Sequence, residues 1–137
     1  MRCVLDSSVA LSWCFEDEVT PATERLLDEV TAEGAMVPSH WPLEVQNVLL
    51  VAEWRGRIEP LRRREMIVFL HDLPIESDPL TLERAWNATM LLAEHFRLTV
   101  YDAAYLELAQ RLAAPLASLD RSLRQAASAV GVPVLGL

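Results

Sequence analysis

The sequence predicts an α/β protein, a parallel sheet with helices on both faces. Short apolar runs alternate with amphipathic helical patterns from end to end. Strands separated by helices pair in parallel through right-handed crossovers. At 137 residues and 52% hydrophobic, the chain is expected to be one domain, residues 1–137, long enough to bury a core. No repeat, linker or low-complexity segment interrupts the pattern.

Cys3-Val4-Leu5 reads as a short buried strand ending at Asp6, and Val9 to Phe15 as a helix apolar on most sides. The acidic run Glu16-Asp17-Glu18 reads as a solvated turn. Thr20-Pro21 starts the next helix, with Thr as N-cap and Pro at the first helical position, and Gly34 stops it. Ala35-Met36-Val37 is the second strand. Pro42 opens a helix with Val45, Val48, Leu49 and Ala52 at helical spacing and Gly56 as its stop. Glu59-Pro60 starts another, to about His71, and Pro74-Ile75 is a weak third strand. Asp78-Pro79 is expected to cap one continuous helix whose face runs Leu82, Ala85, Trp86, Thr89, Leu92, Ala93 and Phe96. An apolar β-type run, Leu98-Thr99-Val100, leads into the Asp102 helix. A strand at Leu116–Ser118, a helix from Arg121 to Val130 and a last strand from Val132 to Leu135 complete the chain.

Composition narrows the function. No apolar run approaches the roughly 20 residues of a spanning helix, and MRCVLD runs straight into an acid, so neither a membrane role nor a secretory signal is expected. Cys3 and Cys14 lie in apolar segments without partners at zinc spacing, as in a reducing cytoplasm. All twelve basic residues are arginine and the net charge is −8. Such a chain repels a polyanion unless something offsets the charge.

Four acids stand out. In LTVYDAAYLELA (Leu98–Ala109), Asp102 is set among Ala, Leu and Tyr, in the first turn of a helix where a carboxylate is favoured. Asp6 and Asp120 each follow a strand, and Glu44 lies in the otherwise uncharged stretch Trp41–Leu50. Ligands of such sheets bind outside the carboxyl ends of the strands. Carboxylates converging there repel, and a hard cation, Mg²⁺ or Mn²⁺, relieves the repulsion and brings a phosphate to an acidic surface.

VLDSSVAL (Val4–Leu11), PLEVQNVL (Pro42–Leu49), LTVYDAAYLELA and LASLDRSL (Leu116–Leu123) together resemble the PIN-domain toxins of the VapC type, from bacterial toxin–antitoxin pairs. The resemblance implies a three-layer α/β/α sandwich with a five-stranded parallel sheet. It also implies an endoribonuclease dependent on Mg²⁺ or Mn²⁺, acting on RNA in the cytoplasm and restrained by a VapB-type antitoxin. The family's acidic quartet falls on Asp6, Glu44, Asp102 and Asp120, its supporting hydroxyls on Ser8 and Ser118. Asp6 and Asp102 are expected to hold the metal most directly, with Glu44 and Asp120 binding through water or a second ion. The resemblance further implies a homodimer that meets operator DNA only through the antitoxin, and products ending in 5′-phosphate and 3′-hydroxyl.

Rival readings are weaker. A phosphatase or receiver domain using Asp6 would need a second acid two residues on and a lysine; Ser8 stands there, and the chain has no lysine. A non-catalytic PIN-fold binding module is the remaining alternative. His40, His71 and His95 share no ligand spacing and read as surface or cap residues, Arg62-Arg63-Arg64 as a solvated helix face, and Trp13, Trp54 and Trp86 as core or interface. The antitoxin is expected to lay an apolar contact on Val9–Phe15 and the helix after Pro42, and to place a basic side chain among the four acids.

Overall fold

The computed structural model describes residues 2–137. Its strands are β1 (Cys3–Leu5), β2 (Ala35–Val37), β3 (Ile75–Ser77), β4 (Leu116–Ala117) and β5 (Val134–Leu135). They form one parallel sheet in the order β3-β2-β1-β4-β5. The helices are α1 (Ser7–Ser12), α2 (Pro21–Glu33), α3 (Trp41–Trp54), α4 (Pro60–Asp72), α5 (Thr81–Arg84), α6 (Ala88–Phe96), α7 (Val100–Leu112) and α8 (Arg121–Ala129). Central β1 is buried at all three residues, as a strand covered on both faces must be. The architecture is the expected α/β/α sandwich.

From β1 the chain adds β2 and β3 on one side, then crosses back to place β4 and β5 on the other. The direction of winding therefore reverses between β1 and β4, and outside the carboxyl ends of strands at such a switch lies the crevice where these sheets bind ligands. Asp6 leaves β1 and Ser118 leaves β4 at that point, and the Asp6 N–H donates to Ala117 O at 2.9 Å.

Several helix starts follow from local chemistry. Thr20 and Thr23 form a reciprocal capping box that spans Pro21 at the first helical position. Asp120 caps α8, its Oδ1 accepting from the Leu123 N–H at 2.8 Å. At Gly34 (φ 82°) the chain turns from α2 into β2, and a Cβ there would stand 2.8 Å from Pro74 O, so only glycine lets β2 and β3 close up.

Three expectations are corrected. The continuous helix after Asp78 is broken into α5 and α6, because the Asn87 side chain accepts from the Ala88 N–H at 2.6 Å and starts a new helix. Of its expected inward face, Leu82 and Trp86 point outward, Trp86 being 89% exposed, while Thr89 and Ala93 are buried. Leu98-Thr99-Val100 is not a strand: Thr99 is the N-cap of α7 and Val100 its first residue. The first helix also stops earlier than expected, at Ser12, with Glu16–Glu18 as one 3-10 turn.

The core joins β1, β2 and β4 to α1, α3, α7 and α8. Trp13 belongs to it, its indole N–H donating to Thr23 O at 2.8 Å. Both cysteines are buried and unpaired, and burial pushes each thiol up to about 11. Behind the sheet's carboxyl edge, Arg111 of α7 forks onto Asp78 (3.0 and 2.6 Å) and Glu107 (2.8 and 3.0 Å), tying α7 to the end of β3. No helix among the described residues is long and apolar enough to cross a membrane.

Candidate active site

Asp6 is the buried centre of the carboxyl edge. Its Oδ2 accepts from Ser8 Oγ at 2.6 Å and from Ser118 Oγ at 2.8 Å. Ser8 Oγ in turn accepts from the Leu119 N–H (2.9 Å), and Ser118 Oγ from the Asp120 N–H (3.0 Å). Both hydroxyls thus have their donor committed to Asp6 and an acceptor committed to the β4–α8 backbone. They fix the carboxylate in place. Burial pushes the Asp6 carboxyl up to about 6; the two hydroxyl bonds oppose this, and repulsion from Asp102 and Glu44 reinforces it.

Glu44, in the first turn of α3, is held differently. Its Oε1 accepts from Tyr105 Oη at 2.6 Å and its Oε2 from Ser7 Oγ at 3.4 Å. His40 Nε2 stands 3.0 Å from Oε1, a close contact that is not aligned as a hydrogen bond. Burial pushes Glu44 up, but the contacts to His40, Tyr105 and Ser7 outweigh it and hold the carboxyl below the ordinary range. Asp102, the third residue of α7, gives its backbone N–H to Thr99 Oγ1 at 3.1 Å. Its carboxyl is raised by burial, then by repulsion from Asp120 and Glu44. Asp120 is exposed, with one oxygen engaged in capping α8.

The structure therefore brings all four expected acids, with Ser8 and Ser118, to one edge. Sequence reasoning missed His40, Ser7, Thr99 and Tyr105. The spacing of His40 and Glu44, one helical turn, was available to it; that Tyr105 reaches Glu44 from another helix was not.

The donor set suits a hard cation. Every expected ligand is a carboxylate, and Asp6 and Asp102 are raised by burial and then by the charges of neighbouring acids, Asp102 and Glu44 for the first, Asp120 and Glu44 for the second. Among the described residues no three His, Cys, Asp or Glu side chains already close into a cage. A Mg²⁺-type ion needs no cage, because it keeps several waters and binds through one or two carboxylates.

The chain matches the PIN domain family over residues 3–129. It is 31% identical over 124 residues to Ribonuclease VapC12 of Mycobacterium tuberculosis, covering 89% of each chain. Its fold is similar to the crystal structure of PAE2754 from Pyrobaculum aerophilum (TM-score 0.71, 19% identity, 98% of this chain and 83% of that one). It is also similar to FitAcB from Neisseria gonorrhoeae (TM-score 0.66, 13% identity, 96% and 95%). A third likeness is to FitAB bound to an IR36 DNA fragment (TM-score 0.59, 14% identity, 98% and 94%). With its motifs, its sheet order and its relatives in agreement, this chain belongs to the PIN-domain family, among the VapC proteins.

Proposed function

We propose that the chain is the toxin of a type II toxin–antitoxin pair: a single-domain, cytoplasmic endoribonuclease that hydrolyses RNA phosphodiester bonds with Mg²⁺ or Mn²⁺. One observation carries this reading, the meeting of Asp6, Glu44, Asp102 and Asp120 outside the β1–β4 switch. Kinship with a protein named as a ribonuclease supports it.

Asp6 and Asp102 would hold the ion most directly, Glu44 and Asp120 through water or a second ion. When bound, the ion polarises the scissile phosphate and brings the pKa of a coordinated water towards neutrality. Ser8 and Ser118 aim the Asp6 carboxylate, and Tyr105 and His40 keep Glu44 ionised. Neither serine is read as a nucleophile, since each hydroxyl is committed as a donor to Asp6 and as an acceptor to the β4–α8 backbone, and no His or Lys stands beside it to activate it. The alternative of a non-catalytic module has less support, because the quartet is intact.

Partners follow from the surface. The expected antitoxin contact on Val9–Phe15 is not available, because Val9, Ala10, Leu11, Trp13, Cys14 and Phe15 are all buried. Helix α3 instead exposes Leu43, Val48 and Trp54, and α4 adds Leu61 and Val68. We assign the VapB-type antitoxin to this face, with a basic side chain reaching the acids. The exposed Leu82, Trp86 and Leu91 of α5 and α6 and the turn between them support a homodimer. Operator DNA would be met through the antitoxin.

The test is to incubate the purified chain with RNA in Mg²⁺, Mn²⁺ or chelator and sequence the ends. Metal-dependent cleavage leaving 5′-phosphates is expected. No cleavage, or cleavage unaffected by chelator, would overturn the reading.

A further inference from the structure

We propose that Tyr101, braced from behind by His40, forms a stacking face that takes one unpaired base of the RNA strand beside the acidic quartet. The proposal rests on the nuclease reading and adds what grips the substrate. Tyr101 precedes Asp102 on α7 and is 66% exposed, although its ring is large and apolar. That ring is not loose. It lies 5.7 Å from the His40 ring at 52°, and His40 meets the ring of buried Tyr105 edge-on at 5.4 Å. Such tilted contacts favour aromatic pairs and leave the outer face of Tyr101 free.

The two rings border a cleft of about 590 Å³ with Leu43, Glu44, Asn47 and Asp102. Its volume lies within the range of small-molecule sites. Leu43 is 74% exposed and supplies a second apolar wall. No arginine lines the cleft, so neutralisation of phosphates by side chains, the usual source of affinity for nucleic acid, is missing beside the four acids. Stacking on an aromatic face supplies affinity without charge, and it needs a base whose own faces are free, hence an unpaired one.

The experiment measures binding of a labelled single-stranded RNA decamer, and of the same sequence as a duplex, with Ca²⁺ in place of Mg²⁺. Wild type and Tyr101→Phe should bind the single strand alike, and Tyr101→Ala roughly tenfold more weakly. An abasic position scanned through the decamer should weaken wild type at one place and leave Tyr101→Ala indifferent there. Wild-type affinity should fall little between 50 and 200 mM salt, by about tenfold or less. Unchanged affinity in Tyr101→Ala, while wild type cleaves RNA, would sink the stacking face alone. A changed molecular mass of Tyr101→Ala by light scattering would instead make Tyr101 a subunit contact and overturn it too. Failure of wild type to cleave any RNA would overturn the nuclease reading beneath it.

Discussion

Tyr105 Oη donates a 2.6 Å hydrogen bond to Glu44 Oε1, joining residues 61 positions apart. The tyrosine is fully buried and its hydroxyl is held far above its usual range by burial, then by the Asp6 and Glu44 charges, so it stays a donor at any working pH. One helix thereby helps, with His40, to hold an acid on another in its charged form.

Tyr105→Phe should therefore cost stability of about 1.5–3 kcal/mol, the loss of one bond to a charged group. Without that bond the Glu44 carboxyl moves up, so the acid limb of the cleavage pH profile should shift to higher pH. A profile that coincides with wild type would separate Tyr105 from the state of Glu44.

Asp102→Asn keeps the shape of the first turn of α7 and removes a charge. Cleavage should fall by about 10² or more, because a group expected to hold the metal is lost and even the outer-shell partners of metal ligands are worth roughly 10–100-fold. Stability should move the other way. The folded-state pKa of Asp102 is raised, so its contribution is fully present below the unfolded pKa and lost as pH rises through the folded one. In metal-free buffer the variant should melt above wild type at pH 7 and converge with it near pH 3. A lower melting point at pH 7 would contradict the repulsion among the acids.

Millimolar Mg²⁺ or Mn²⁺ should raise the melting temperature, since a ligand at a hundred times its Kd adds about 2.7 kcal/mol to the folded state. The gain should shrink below pH 6, where Asp6 takes up a proton that competes with the ion. It should also shrink in Asp6→Asn, which keeps an oxygen for Ser8 and Ser118. Melting curves indifferent to both metals while cleavage proceeds would exclude a carboxylate-built site.

Arg111→Met leaves Asp78 and Glu107, both buried, facing one another without their cation. Denaturant titration should show a loss of about 3–5 kcal/mol at pH 7. Burial raises the Asp78 carboxyl, but Arg111 and Thr81 outweigh it and leave it lowered. In wild type its contribution is thus present above the unfolded pKa and lost as pH falls through the folded one, so the gap between the proteins should narrow in acid. A loss below 1 kcal/mol would mean the fork does not secure α7.

Calorimetric titration of Mn²⁺ into the free chain and into its antitoxin complex should show binding only to the former, if a basic side chain occupies the acids. Equal affinity would move the inhibitor away from the cleft.

Most of the fold, and all four acids, could be read in the sequence because they depend on local chemistry. Apolar runs of strand length, Thr20-Pro21 and Gly34 mark their own boundaries, and an acid such as Glu44 in an apolar stretch marks itself. The errors came where two local signals compete. Asn87 offered a cap inside an apparently continuous helical face, and Thr99 turned a β-type run into a helix start. Tertiary structure alone decided the rest. Whether Val9–Phe15 is surface or core, which helix supplies a donor to Glu44, and that His40 rests between two tyrosines all depend on how α1, α3 and α7 pack. Periodicity records that a side chain has an apolar face, but not which distant element covers it, because burial is shared between segments that the chain brings together only on folding.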